Sequence, residues 1–240
     1  MQHEIITYDA GGTTMRSQFF ATAGGGKRPG VLVFPEAFGL GEHALTKAER
    51  LAGMGYAVLA ADYYGNGAVA GSLDEALAMM APVAETAERT RACGMAALRA
   101  LLARPEVDGS RVAAIGYCFG GTMALELARD GAPLRAVAGF HSGLATKGPV
   151  VTPGSIQPRI LACIGADDPM IPLDQRTAFE AEMRAAGADW QMHIYGNTVH
   201  SFTNPAATDP ALAHAVRYNP AADARSWSAL TALLAETIPA

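Results

Sequence analysis

A cysteine, a pair of aspartates and a histidine occur in this chain in an order suited to nucleophilic catalysis. The cysteine lies in "AAIGYCFGGTMALEL" (Ala113–Leu127), where an apolar run passes through glycines into a helical pattern. A strand–turn–helix of the form G-x-nucleophile-x-G lifts a reactive side chain above a sheet, and its glycines avoid clashes where chain segments crowd. Here the pattern is Gly116-Tyr117-Cys118-Phe119-Gly120-Gly121. The free N–H groups and dipole of a helix N-terminus would favour a thiolate at Cys118. The competing reading is a small structural cysteine in a tight turn.

A nucleophile needs a base, and the base needs an orienting acid. His200 follows the apolar run "WQMHIY" within "GNTVHSF", and Asp167 and Asp168 follow "RILACIG" within "ADDPMIP". Chain order is therefore nucleophile, acid, base, with each group just after a candidate strand. Of two adjacent aspartates, one can serve the histidine while the other caps the next turn or faces solvent. Asp168 precedes Pro169, which fixes the chain direction after it.

The elements that must carry these groups follow from hydrophobic patterning. "EIITY" and "SQFFAT" read as an antiparallel hairpin. "GVLVF" (30–34), "YAVLAAD" (56–62), "RVAAIGY" (111–117), "RAVAGF" (135–140), "RILACIG" (159–165) and "WQMHIY" (190–195) read as buried strands. Helical patterns cover roughly 43–53, 73–103, 120–130, 173–186 and 223–236, with Pro82 breaking or kinking the second near Ala81. The alternation predicts an α/β fold. Its sheet would be doubly wound and mostly parallel, with an N-terminal antiparallel hairpin and helices on both faces, in a single domain over 1–240. Ligands of such sheets bind outside the carboxyl ends of the strands.

Composition narrows the function classes. The net charge is -5 with 17% charged residues, and the basic residues are scattered, which argues against nucleic acid. The N-terminus lacks the basic start and apolar run of a signal peptide, and no apolar stretch is long enough to span a membrane. Three cysteines without metal-ligand spacing point to a reduced, cytoplasmic protein with no metal and no cofactor. Cys93 and Cys163 read as small buried hydrophobes, Met79 and Met80 as core or pocket lining, and His43, His193 and His214 lack spaced ligand partners. His141, just after "RAVAGF", is a candidate pocket residue.

Taken together, "VLVFPEAFGL", "GYAVLAADYYG", "VAAIGYCFGG", "IGADDPMIP", "GNTVHSFTN" and "YNPAADARSW" resemble the dienelactone hydrolase family of the α/β-hydrolase superfamily over nearly the whole chain. The resemblance implies Cys118 as nucleophile, Asp168 as acid and His200 as base. It also implies Glu36 of "PEAFG" as a carboxylate beside the thiol. Backbone N–H groups of Ala37 and Phe119 would form the oxyanion hole, and Phe38 and Asn204 would join His141 in the substrate pocket. In the family an arginine follows the histidine by four residues and a second lies after the third strand, together holding a substrate carboxylate. Here Asn204 takes the first position, and no arginine or lysine occurs between Arg50 and Arg89. Lys147 and Arg217 are the remaining cations considered for that role. The implied function is cofactor-independent hydrolysis of a small, neutral ester or lactone by a monomer or small homo-oligomer. Acyl transfer to a small thiol or amine, and a non-catalytic ligand-binding role, are the alternatives.

Overall fold

The computed structural model describes residues 1–24 and 26–240. Two nine-residue strands, β1 (Gln2–Ala10) and β2 (Thr13–Ala21), form the opening hairpin. β1 alternates half-buried and exposed side chains, as an edge strand with one solvated face does. Then follow β3 (Arg28–Phe34), α1 (Glu42–Gly53), β4 (Ala57–Ala60), α2 (Leu73–Val83), α3 (Ala87–Leu102), β5 (Val107–Tyr117) and α4 (Phe119–Arg129). The chain continues with β6 (Ala136–Phe140), β7 (Arg159–Gly165), α5 (Leu173–Ala186), β8 (Trp190–Tyr195) and α6 (Pro220–Thr237).

The strands form one sheet in the order β1-β2-β4-β3-β5-β6-β7-β8. The pairs β1/β2 and β2/β4 are antiparallel and all others parallel. Alternate residues of β3 supply two separate cores. Leu32 and Phe34 pack with Leu98 of α3, Leu127 of α4 and Phe179 of α5. Val31 and Val33 pack with Leu51 of α1 and Leu230 of α6. Helices thus cover both faces, which is why the central strands have no polar side.

Strands β3 and β5 begin earlier than expected, at Arg28 and Val107, β4 is shorter, Ala57–Ala60, and two helix boundaries differ for reasons visible in the caps. The helical pattern over 73–103 divides later than Pro82 suggests: α2 passes the proline and ends at Val83. The restart is set by Thr86, whose hydroxyl accepts from the Arg89 N–H and caps α3. The last helix starts earlier than expected, because the Asn219 side chain caps it and Pro220 occupies its first turn.

The parallel strands end side by side. Phe34, Tyr117, Phe140, Gly165 and Tyr195 therefore deliver five loops to one edge of the sheet. Glu36, Cys118, His141, Asp168 and His200 all lie in those loops.

Candidate active site

Cys118 is the half-buried residue at the N-cap of α4, with φ 53° and ψ -123°. A residue other than glycine rarely adopts a positive φ, and its neighbours must enforce it. Here the glycines do so. A Cβ on Gly116 would collide with the Gly120 backbone, and one on Gly120 with the Phe34 and Pro35 carbonyls. One on Gly121 would strike the Ser142 hydroxyl. The first turn of α4 is thus pressed against the ends of β3 and β5, which brings Pro35–Ala37 beside the cysteine.

The loop after β3 is held from outside. The Tyr63 hydroxyl donates to the Glu36 carbonyl at 2.6 Å and the Tyr64 hydroxyl to that of Ala37 at 2.7 Å. In a trans peptide the carbonyl of one residue and the N–H of the next point in opposite directions. Tyr63 therefore fixes the aim of the Ala37 N–H. Neither this N–H nor that of Phe119 has an acceptor among the described residues. Sequence reasoning missed Tyr63 and Tyr64, because nothing in "ADYYG" shows which loop their hydroxyls will reach.

The structure brings Asp168 and His200 together. The Asp168 carboxylate (Oδ2) lies 2.8 Å from His200 Nδ1, with the two residues only 3% and 4% exposed. Asp168 Oδ1 accepts from the Met170 N–H, whereas Asp167 is exposed and anchors only its backbone, to Thr198. The geometry thus separates the two aspartates. Burial opposes a charged His200, but the hydrogen bond to the Asp168 carboxylate, together with the proximity of Cys118, outweighs it and lifts the imidazole to about 10. Its Nε2 is buried and makes no hydrogen bond to a protein group among the described residues. This nitrogen is the one left for proton transfer at the cysteine.

Glu36 is 9% exposed, and its Oε2 accepts from the Asn204 amide at 2.6 Å while facing His43 Nδ1 at 3.4 Å. Burial would raise its pKa, but the His43 side chain, with help from His141 and Ser201, holds it at about 2. No hydrogen bond joins Glu36 to the Cys118 sulfur among the described residues, so the expected carboxylate–thiol contact is not the arrangement seen. Glu36, His43 and Asn204 instead line a cleft of about 170 Å³ with Phe38, which is 42% exposed.

His141 is a correction. Expected to line the pocket, it is fully buried behind the elbow. Its Nδ1 accepts from the Cys118 N–H at 3.2 Å and its Nε2 is 2.8 Å from the Thr203 hydroxyl. Burial, with His200 nearby, pushes its pKa well below the ordinary histidine value. The spare cations are occupied elsewhere: Lys147 donates to the Ala84 and Glu85 carbonyls, and the exposed Arg217 to that of Ala213. Among the described residues no cluster of three or more His, Cys, Asp or Glu could hold a metal ion. None of the helices among them is long and apolar enough to cross a membrane.

Two solved structures resemble this chain along nearly its whole length. A solved structure described as m3DLH is 45% identical, with a TM-score of 0.93 over 99% of this chain and 98% of its own. A dienelactone hydrolase-like promiscuous phosphotriesterase from metagenomic libraries is 41% identical, with a TM-score of 0.90 over the same shares. An uncharacterized protein of Caenorhabditis elegans is 35% identical over 144 residues, 59% of this chain and 89% of its own. The family model for dienelactone hydrolases matches residues 17–238. With its strand order and the elbow at the end of β5, the chain belongs to the dienelactone hydrolase family of α/β-hydrolases and is a hydrolase of esters or lactones.

Proposed function

We propose that Cys118, His200 and Asp168 form a catalytic triad that hydrolyses small, neutral esters or lactones through a thioester. The observation that carries this reading is the free Nε2 of His200, whose Nδ1 is pinned to a buried carboxylate at a cysteine-bearing elbow. His200, whose pKa is raised, already holds the Cys118 proton as the cation of an ion pair, and the Cys118 sulfur bonds to the substrate carbonyl carbon. The resulting oxyanion is held by the Ala37 and Phe119 N–H groups. Collapse expels the alkoxide, which takes the proton from His200, and leaves the acyl group on sulfur. His200 then removes a proton from water, whose oxygen attacks the thioester, and the acid leaves as the ion pair re-forms.

Charge supports a neutral substrate. The cleft beside Glu36 has no lysine or arginine in its lining, and Glu36 is ionised there, so an entering carboxylate would meet a like charge while losing its hydration. The phosphotriesterase relative favours a second acceptor class of the same kind. Phosphotriesters are neutral, and thiolate attack on phosphorus would displace an aryloxide beside the same two amides. The three free cysteines, Cys93, Cys118 and Cys163, suit a reducing compartment, and we place the protein in the cytoplasm.

The test is a turnover screen of paired neutral and carboxylated esters and lactones, together with a neutral aryl phosphotriester. Added thiol or amine separates hydrolysis from acyl transfer. Neutral carboxylic esters should lead. A preference for carboxylated members would overturn the neutral assignment, and failure to turn over any of them would overturn the enzymatic reading.

A further inference from the structure

Behind the elbow lie two histidines and a threonine that the mechanism does not use. The Cys118 N–H donates to the Phe140 carbonyl at 2.9 Å and to His141 Nδ1 at 3.2 Å. His141 Nε2 is 2.8 Å from Thr203 Oγ1, Thr203 Oγ1 is 3.3 Å from His43 Nε2, and His43 Nδ1 faces Glu36 Oε2 at 3.4 Å. These contacts make one continuous chain from the cleft carboxylate to the backbone of the nucleophile.

Between Cys118 and His43 each link pairs a donor with an acceptor, so that stretch can be oriented by elimination; the last contact, His43 Nδ1 to Glu36, is an approach at 3.4 Å without a hydrogen bond. An N–H points at His141 Nδ1, so that nitrogen carries a lone pair and the ring proton is on Nε2. His141 Nε2–H then donates to the Thr203 oxygen. Thr203 is buried, with one proton, and His43 Nε2 is the acceptor within reach. His43 therefore carries its proton on Nδ1, the edge that meets the Glu36 carboxylate. The opposite tautomer would set a lone pair against a carboxylate and leave the buried Thr203 proton unpaired, at a cost. A doubly protonated His43 would leave that proton unpaired as well.

We infer that His141, Thr203 and His43 are positioning residues that lock the strained Cys118 main chain, with the single Thr203 proton setting the direction of the whole relay. The inference rests on Cys118 being the nucleophile. Two further observations agree. His141 itself has φ 41°, so the elbow and the residue bracing it are both held in an unfavourable conformation. The His141 ring also meets that of His200 edge-on at 5.0 Å, so a displaced His141 would disturb the base together with the nucleophile. The relay ends on a main-chain N–H, so it transmits position and no proton.

The experiment compares wild type, Thr203→Val, Thr203→Ser and Cys118→Ala on p-nitrophenyl acetate, with long-range ¹H–¹⁵N spectra of the histidine rings. Thr203→Val keeps the shape and removes the hydroxyl. We expect kcat to fall about 10- to 100-fold with KM within about twofold, since misplacing a nucleophile by ~1 Å costs about that much. Thr203→Ser should return to within about threefold of wild type. Wild-type spectra should show His141 protonated only on Nε2 and His43 only on Nδ1, a signature that does not depend on turnover or on the variants folding. Either histidine in another protonation pattern overturns the relay. So does a Thr203→Val protein with unchanged kcat while Cys118→Ala is inactive. An active Cys118→Ala protein instead overturns the triad itself.

Discussion

Replacing Asp168 by asparagine tests the acid with a calculable effect. Asp168 and His200 are in contact at 2.8 Å and both are buried, so little water screens them. The reactive ion pair with Cys118 needs His200 as a cation, and the partner of that cation is this carboxylate. Charges with centres about 4 Å apart attract by about 4 kcal/mol at an effective dielectric near 20. At about 1.4 kcal/mol per factor of ten, losing that attraction lowers kcat/KM about a thousandfold. The amide can also hold the ring in the wrong tautomer, with the proton on Nε2 facing the thiol. The same pair gives a pH signature. Because the His200 pKa is raised in the folded protein, its stabilisation is complete below about 6.5 and fades as pH climbs through about 10. Urea unfolding from pH 6 to 10 should show this decline in wild type and a shallower one in Asp168→Asn. Asp167→Asn, on an exposed side chain, should stay within about threefold of wild type. The assay is kcat/KM on p-nitrophenyl acetate. Asp168→Asn within tenfold of wild type, or an equal loss in Asp167→Asn, would refute the reasoning.

Glu36→Gln should be less stable than wild type near pH 6 by about 3 kcal/mol. The folded-state pKa of Glu36 is depressed, so the gap should close as pH falls from about 4.5 toward about 2; a gap that does not shrink on acidification contradicts the depressed pKa. Tyr63→Phe removes the donor that aims the Ala37 N–H and should lower kcat about tenfold with KM nearly unchanged, since one oxyanion donor is typically worth more than that. An unchanged kcat would show that the loop keeps its aim without the hydroxyl. Gly120→Ala drives a methyl into the Phe34 and Pro35 carbonyls and should lower both the melting temperature and activity; an active variant with wild-type stability would show that the elbow tolerates the shift. Wild type should prefer a neutral ester over its carboxylated partner by about tenfold or more in kcat/KM. Asn204→Arg should narrow this only slightly, because Glu36 already bonds residue 204 and would capture the guanidinium. A reversal of preference in that variant would show the arginine reaching the substrate instead.

Residues whose positions follow from the end of a strand were legible in the sequence. Cys118 and Asp168 each follow a nearly all-apolar run and His200 follows the edge strand β8, and parallel strands place such positions side by side. What was not legible depends on which loops meet above the sheet. His141 follows a strand like the others and was read as pocket lining, yet the elbow covers it and takes its Nδ1 as an acceptor. His43 and Thr203 are 160 residues apart and meet only because the first turn of α1 and the loop after β8 lie over the same strand ends. Glu36 was placed in the right loop, but its partners, Asn204 and His43, come from elements that local patterning cannot bring together. Pro82 marked the end of α2 to within two residues, but the restart of α3 depends on the Thr86 cap, which the helical pattern over 73–103 did not show.

The central claim is that a bond forms between Cys118 and the acyl group. Mixing the protein with p-nitrophenyl acetate, quenching in acid within milliseconds to seconds and reading intact and peptide masses tests it directly. The account predicts one acetyl group on the peptide containing Cys118, its yield matching a burst of p-nitrophenolate, with no adduct and no turnover in Cys118→Ala. Turnover by Cys118→Ala at a tenth of the wild-type rate or more, or an acetyl group found only elsewhere, would contradict it.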